Sequence, residues 1–232
     1  LRRALQASVN TVYVPLAIEA GRPRIKQMML DAGVVTARPT QANPNPFATN
    51  VTSFGLGTTA EVTPLSMANA YGTLMNRGVH SAPRFIVETR DADGSLITEG
   101  PGPAKPNRAM ATDVADRVVE AMSGVALRGG TAQRARQAFT VFGKTGTTND
   151  STDAWFIGCA QAPQHLCVAT WMGFDRQSCT GVVGSACGGM KGIHGVEQVY
   201  GGTLPAAIFD RTFEILAEIK AGAGPAQPGP AG

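Results

Sequence analysis

Apolar positions along the chain switch between two periods, and the switches predict its elements. Leu1, Leu5, Val9, Val12 and Leu16 recur at the spacing of one helix face, but Ser8-Val9-Asn10 crosses the stripe. Pro23 can open a second helix and Gly33 can close it, with Ile25, Met28, Met29 and Leu30 between. Residues 36–60 read as loop, with Pro39, Pro44, Pro46, Gly55 and Gly57. Thr63-Pro64 has the form of an N-cap followed by proline at the first helical position. That helix is predicted to run to about Arg77 and stop at Gly78. Arg84–Arg90 and Ser95–Thr98 read as short strands joined by the turn Asp91-Ala92-Asp93-Gly94. A helix is predicted from Thr112 to Leu127, ended by Gly129-Gly130.

Three strand-like runs follow: Phe139–Thr147, Asp153–Ala160 and Leu166–Phe174. The links between them are short and turn-rich, which predicts an antiparallel meander. Residues 175–202 are Gly-rich with no clear period, and loops of that length are usually functional or pinned. Thr203 and Pro205 begin a last helix with Ile208, Phe209, Leu216 and Ile219 as its apolar face. The final stretch, 222–232, holds only Gly, Ala, Pro and Gln. It cannot bury enough surface to fold and is expected to be disordered, leaving 1–221 as the folded part.

Composition narrows the class. Apolar residues make up 43% of the 232, enough for a core, while aromatics are 6%, so aliphatic side chains must do most of the packing. A net charge of +3 with no basic run gives no footprint for nucleic acid. No stretch approaches the ~20 apolar residues of a membrane helix. The opening Leu1-Arg2-Arg3 has no signal-peptide form and is expected to continue from a segment upstream.

Four cysteines, Cys159, Cys167, Cys179 and Cys187, are candidates for two disulfides and an oxidising compartment; four reduced, buried thiols are the other reading. Cys159 and Cys167 flank the turn between the second and third strand runs, where a bridge is geometrically reasonable. No Cys-x-x-Cys or His pair supports a metal site, and no cofactor is expected.

Candidate chemistry lies at two places. In Lys144-Thr145-Gly146-Thr147, strand alternation puts Thr145 and Thr147 on one face, about 7 Å apart, as a hydroxyl pair able to hold a carboxylate. Gly146 leaves room for a substrate backbone. The long stem of Lys144 can bring its charge to the same groove. In Ser8-Val9-Asn10 the two polar side chains fall on opposite faces of a continuous helix, so they converge only if the helix breaks there. Taken singly, each is compatible with an ordinary surface. Together, in this order, they are two of the three motifs of the penicillin-binding and β-lactamase acyltransferases. No Gly-x-Ser-x-Gly occurs and the three histidines lie near no serine motif, which argues against a Ser-His-Asp hydrolase.

The chain resembles the transpeptidase domain of class A (bifunctional) penicillin-binding proteins, in its C-terminal portion. The resemblance is carried by Ala4–Val12, by Leu56-Gly57 with Val62-Thr63-Pro64-Leu65 and Ala70-Tyr71, and by Gly143–Asp150 leading to Asp153–Gly158. Trp171-Met172-Gly173 and Gly201–Ala206 extend it, so that it covers roughly 1–220. It implies an α+β fold, an antiparallel sheet flanked by helices plus an all-helical lobe, with its N-terminal part missing. It also implies a serine D,D-transpeptidase that cross-links peptidoglycan stem peptides, is trapped by β-lactams, and works on the outer face of the bacterial cytoplasmic membrane through an upstream anchor.

In that family Ser8 would relay a proton to the departing amine and Asn10 would bind the substrate's amide side chain. Lys144 would hold Ser8 and add positive potential. Thr145 and Thr147 would bind the carboxylate beside Gly146, and the Thr147 N–H would form half of the oxyanion hole. The nucleophile motif, Ser-x-x-Lys, is absent. The residues three before Lys26, Lys105, Lys144, Lys191 and Lys220 are Pro23, Gly102, Val141, Gly188 and Ala217. The resemblance places that motif upstream with the first strands of the sheet. The chain alone is therefore expected to be inactive, and the Lys144 strand to show an open edge. A D,D-carboxypeptidase or β-lactamase of the same superfamily, or a non-catalytic penicillin-binding sensor, remain the alternatives.

Overall fold

The computed structural model describes residues 1–36, 52–57, 60–100, 102, 104–174 and 189–222. Most of the expected 36–60 loop, the first half of the Gly-rich stretch with Cys179 and Cys187, and all but the start of the C-terminal tail lie outside the described residues.

The helices are α1 (Arg2–Gln6), α2 (Asn10–Ala20), α3 (Arg22–Asp31), α4 (Pro64–Met75), α5 (Thr112–Ser123) and α6 (Leu204–Lys220). The strands are β1 (Val79–His80), β2 (Glu88–Arg90), β3 (Leu96–Glu99), β4 (Asn107–Arg108), β5 (Val141–Thr147), β6 (Asp153–Ala160), β7 (Leu166–Gly173), β8 (Lys191–Ile193) and β9 (Val196–Gln198).

The meander read from the sequence is the central sheet, antiparallel in the order β5-β6-β7. Both its faces are covered. Val141 points into a core with Phe156, Phe209 and Phe213 on the α6 side. Phe142, the next residue, points the other way, into a core with Met122, Leu5, Tyr71 and Leu74 from α5, α1 and α4. This two-sided burial explains why β5 begins as a continuous apolar run instead of alternating. Phe156 and Phe209 meet edge to face, 5.1 Å between centroids. A Cβ on Gly158 would press on both rings, so the bare backbone there lets α6 seat. Cys159 and Cys167 sit opposite each other in the β6–β7 register and are joined by a disulfide.

Helix signals hold at their starts and drift at their ends. The Thr63 hydroxyl accepts the Ser66 N–H at 3.2 Å and caps α4 with Pro64 at its first position. The helix stops two residues before Arg77. The Gly78 N–H turns back to the Thr73 carbonyl, with Arg77 and Gly78 both left-handed. The predicted 112–127 helix is α-helical only to Ser123 and then tightens into a 3-10 turn, Gly124–Ala126, where the Gln6 side chain packs on Gly124.

Three expectations are corrected. Of Arg84–Arg90 only Glu88–Arg90 is strand, and Phe85, Ile86 and Val87 stay exposed beside the β2–β3 hairpin. The buried face of α6 is Pro205, Ala206, Phe209 and Phe213, with Leu216 packed beside it. Ile208 and Ile219, at 46% and 53% exposure, lie about 80–100° round the helix from Phe209. The Gly-rich stretch is not all loop: β8 and β9 pair as a hairpin over buried Met190 and Val199.

Candidate active site

Ser8 sits where the N-terminal helical stripe breaks. α1 ends at Gln6, α2 starts at Asn10, and Ser8 takes φ 55, a left-handed conformation that no continuous helix contains. The break is closed by backbone bonds from Ser8 N–H to the Leu5 carbonyl and from Val9 N–H to the Ala4 carbonyl. The short α1 is fastened to α5 from three directions. Arg2 pairs with Glu120 through its two terminal guanidinium nitrogens, Leu5 packs against the Phe142 core, and Gln6 lies on Gly124.

From the sheet, Lys144 meets this turn. Its Nζ donates to Ser8 Oγ at 2.9 Å and to the Thr145 carbonyl at 3.0 Å, although 136 residues separate Ser8 from Lys144 in sequence. Burial pulls the Lys144 ammonium down to about 8.

Among the described residues β5 is paired by β6 alone. Thr148 N–H donates to the Asp153 carbonyl, and the Thr140 carbonyl accepts from Gln161 N–H, so the even-numbered backbone groups face β6. Strand alternation turns the odd-numbered ones outward. The Thr145 carbonyl that Lys144 reaches is one of these, and the Thr147 N–H is another. This edge, unpaired among the described residues, is therefore where the Lys144 charge and the outward N–H groups are gathered.

Thr145 and Thr147 share a face, as the alternation required, and each hydroxyl is held from outside the strand. Thr131 Oγ1 lies 2.7 Å from Thr145 Oγ1, and Gly201 N–H donates to Thr147 Oγ1 at 3.1 Å. A Cβ on Gly146 would touch only the Trp155 side chain, at 3.5 Å, so the strand is open to an approaching backbone there. Gly201 is the opposite case. A Cβ on it would run into the Trp155 carbonyl and stand 2.7 Å from the Gly146 oxygen. Gly202 is similarly pressed on the Thr131 carbonyl.

Beyond the strand end, the Thr148 hydroxyl accepts the Asp153 N–H at 2.7 Å and Trp171 Nε1 donates to the Asp153 carboxylate at 3.0 Å, which pins the turn back into β6. Asn10 is exposed in the first turn of α2, and no described side chain bonds its amide.

Thus Ser8, Lys144, Thr145, Gly146 and Thr147 form one surface. Thr131 was not read from the sequence, and Gly201 was read only as part of the family resemblance, not as a site residue. Thr131 belongs to a turn 14 residues before Thr145, and nothing in its spacing marks it; Gly201 lay within a run whose glycines all looked alike. Among the described residues no cluster of His, Cys, Asp or Glu could hold a metal.

A family model described as the penicillin-binding protein transpeptidase domain matches residues 1–177. The chain belongs to the penicillin-binding protein transpeptidase family. Penicillin-binding protein 1A of Aquifex aeolicus is 31% identical over 186 residues, covering 78% of this chain and 23% of that protein. Penicillin-binding protein 1A of Neisseria gonorrhoeae is 30% identical over 233 residues, covering 98% of this chain and 26% of its own length. The chain spans about a quarter of these curated relatives. Among solved structures, the penicillin-binding protein PonA1 of Mycobacterium tuberculosis superposes with a TM-score of 0.72 at 23% identity, over all of this chain and 59% of that one. Penicillin-binding protein A of the same organism, solved as an imipenem acyl-enzyme, gives 0.61 at 26% identity over 78% of this chain and 44% of that one. The fold is the transpeptidase fold, helices on both faces of an antiparallel sheet.

Proposed function

We propose that the chain supplies two walls of the acyl-transfer cleft of a serine D,D-transpeptidase acting on D-Ala-D-Ala stem peptides of peptidoglycan at the outer face of the cytoplasmic membrane. The observation that carries this reading is the 2.9 Å bond between Lys144 Nζ and Ser8 Oγ across the open edge of β5.

In this reading each proton has a direction. Lys144 has only hydrogens to give, so Ser8 Oγ accepts from it and keeps its own O–H free. That O–H can be passed to the nitrogen of the departing D-Ala as the C–N bond breaks. Thr145 and Thr147 offer hydroxyls to the terminal carboxylate, and the nearby ammonium adds attraction. The outward Thr147 N–H is suited to the oxyanion that develops on the attacked carbonyl. Asn10, exposed beside Ser8, would bind the substrate's amide side chain. The serine that is acylated comes from a Ser-x-x-Lys segment outside these 232 residues. β-Lactams, which carry a strained amide and a carboxylate, would bind the same groove.

Covalent labelling by fluorescent penicillin tests this. The full-length gene product is expected to label and the isolated chain not. Lys144→Met in the full-length product should slow labelling at least about a hundredfold, the scale of removing a key electrostatic group. A covalent adduct on the isolated chain would refute the placement of the nucleophile. Rapid release of hydrolysed penicillin would instead favour a β-lactamase.

A further inference from the structure

We propose that Thr131 is a positioning residue that turns the Thr145 hydroxyl into a donor for the substrate carboxylate; the inference rests on the transpeptidase reading of the cleft. A threonine hydroxyl has one hydrogen to donate and two lone pairs to accept with. At Thr145, two groups approach the oxygen: Thr131 Oγ1 at 2.7 Å and Lys144 Nζ at 3.5 Å. The ammonium can only donate. If Thr131 donates too, both lone pairs of Thr145 are taken and its O–H is left for a ligand. If the bond ran the other way, Thr145 would spend its only hydrogen on Thr131 and face a carboxylate with lone pairs alone.

Thr147, on the same face of the strand, shows which arrangement this wall uses. Its oxygen is engaged by the Gly201 N–H, which has no choice but to donate, so Thr147 retains its O–H. Thr131 does for Thr145 what Gly201 does for Thr147, and the two hydroxyls become a matched pair of donors.

Thr131 is held firmly enough for the task. The Ala132 N–H after it is tied to the Val125 carbonyl at 2.9 Å, Gly202 presses on its own carbonyl, and Gly130 before it admits no Cβ against the Val125 oxygen. The hydroxyl therefore sits at the end of a backbone turn clamped from both sides.

The test compares the acylation rate of the full-length protein by benzylpenicillin with that by its methyl ester, which lacks the carboxylate charge. Thr131→Val keeps the shape and removes the donor. Without that partner the Thr145 hydroxyl keeps its hydrogen but is no longer fixed toward the substrate. Benzylpenicillin is therefore expected to slow about threefold to tenfold, the range for one ordinary hydrogen bond, while the ester rate is unchanged. Thr131→Ser should restore the wild-type ratio of the two rates. The ratio is independent of the fraction of folded enzyme, so a less stable variant still reports. Equal slowing of acid and ester by Thr131→Val would make the residue merely structural and overturn the proposal, as would an unchanged acid rate. If the wild-type protein reacts with neither compound, it is the transpeptidase reading that fails, and this inference with it.

Discussion

Lys144 and Ser8 approach one another from walls held in different ways. On the sheet side, β5 enters the site through Val141 and Phe142, 5% and 0% exposed and facing opposite cores. On the helical side, α1 has five residues, none buried, and Ala7 and Ser8 are exposed. Its fastening rests on the partly buried Leu5 packed against the Phe142 core, the Gln6–Gly124 contact, and an exposed Arg2–Glu120 pair of a kind that contributes ~1 kcal/mol or less. Local opening free energies follow burial, so the sheet wall should be nearly as stable as the whole fold and the turn among the first parts to open. In the proposed reaction, the groups that create a fixed potential, Lys144 and the two threonines, are on the stable wall, and the group that would hand on a proton, Ser8, is on the wall that can adjust.

The contrast is broken most severely at Gly201. A Cβ there would meet the Trp155 carbonyl and the Gly146 backbone, atoms of two paired strands that cannot rotate aside as a side chain could. Gly201→Ala should destabilise the protein by about 1–3 kcal/mol, the usual cost of overpacking, read as a lower midpoint in thermal or denaturant unfolding. It should also displace the N–H that holds Thr147, so penicillin labelling falls more than the loss of folded protein explains. An unchanged midpoint would mean that the sheet wall yields more easily than its packing implies.

A smaller effect comes from pH. Burial lowers the Lys144 ammonium from 10.5 to about 8. Its charged fraction falls about tenfold between pH 7 and 9, and acylation of the full-length protein should fall with it. Stability moves the other way. Between about 8 and 10.5 the unfolded chain holds the proton and the folded one does not, so stability rises with pH across that window; below 8 the desolvation penalty is felt in full. Lys144→Met should remove this rise. Acylation that is flat from pH 7 to 9 would mean that a bound ligand keeps the lysine charged.

What the chain disclosed in advance divides along the same line. The sheet wall was legible because it is built from runs of seven or eight residues, long enough for the apolar pattern to be read, and because Thr145 and Thr147 follow from alternation alone. The cap at Thr63-Pro64 was legible because the chemistry of a helix start is local; α6 also begins after Thr203, but that hydroxyl bonds back to Tyr200 and does not cap the helix. The turn wall was legible only as a condition: Ser8 and Asn10 could serve one site if the helix broke. What breaks it is tertiary, the docking of Arg2, Leu5 and Gln6 on α5, more than a hundred residues away. β1, β4, β8 and β9 have two or three residues each, too few to show a period. Ile208 and Ile219 were misplaced because a helix stripe has an edge that sequence alone does not draw. Thr131 and Gly201 act through contacts that the fold alone brings together.

The finest test separates the shape of the turn from its hydroxyl. Ser8 is left-handed at φ 55, a conformation that costs a residue with a Cβ about 1–2 kcal/mol and glycine almost nothing. Ser8→Ala and Ser8→Gly both remove the acceptor for Lys144, so both should lose penicillin labelling to a similar extent. They should differ in stability. Ser8→Ala keeps the strained backbone, while Ser8→Gly relieves it and gives part of the gain back through the greater freedom of its unfolded chain. Ser8→Gly is therefore expected to be the more stable by about 1 kcal/mol or less, resolved as a shift in denaturant midpoint at constant slope. If the two variants unfold together but label differently, the turn matters to the site through its conformation, and the hydroxyl is not what Lys144 is there to hold.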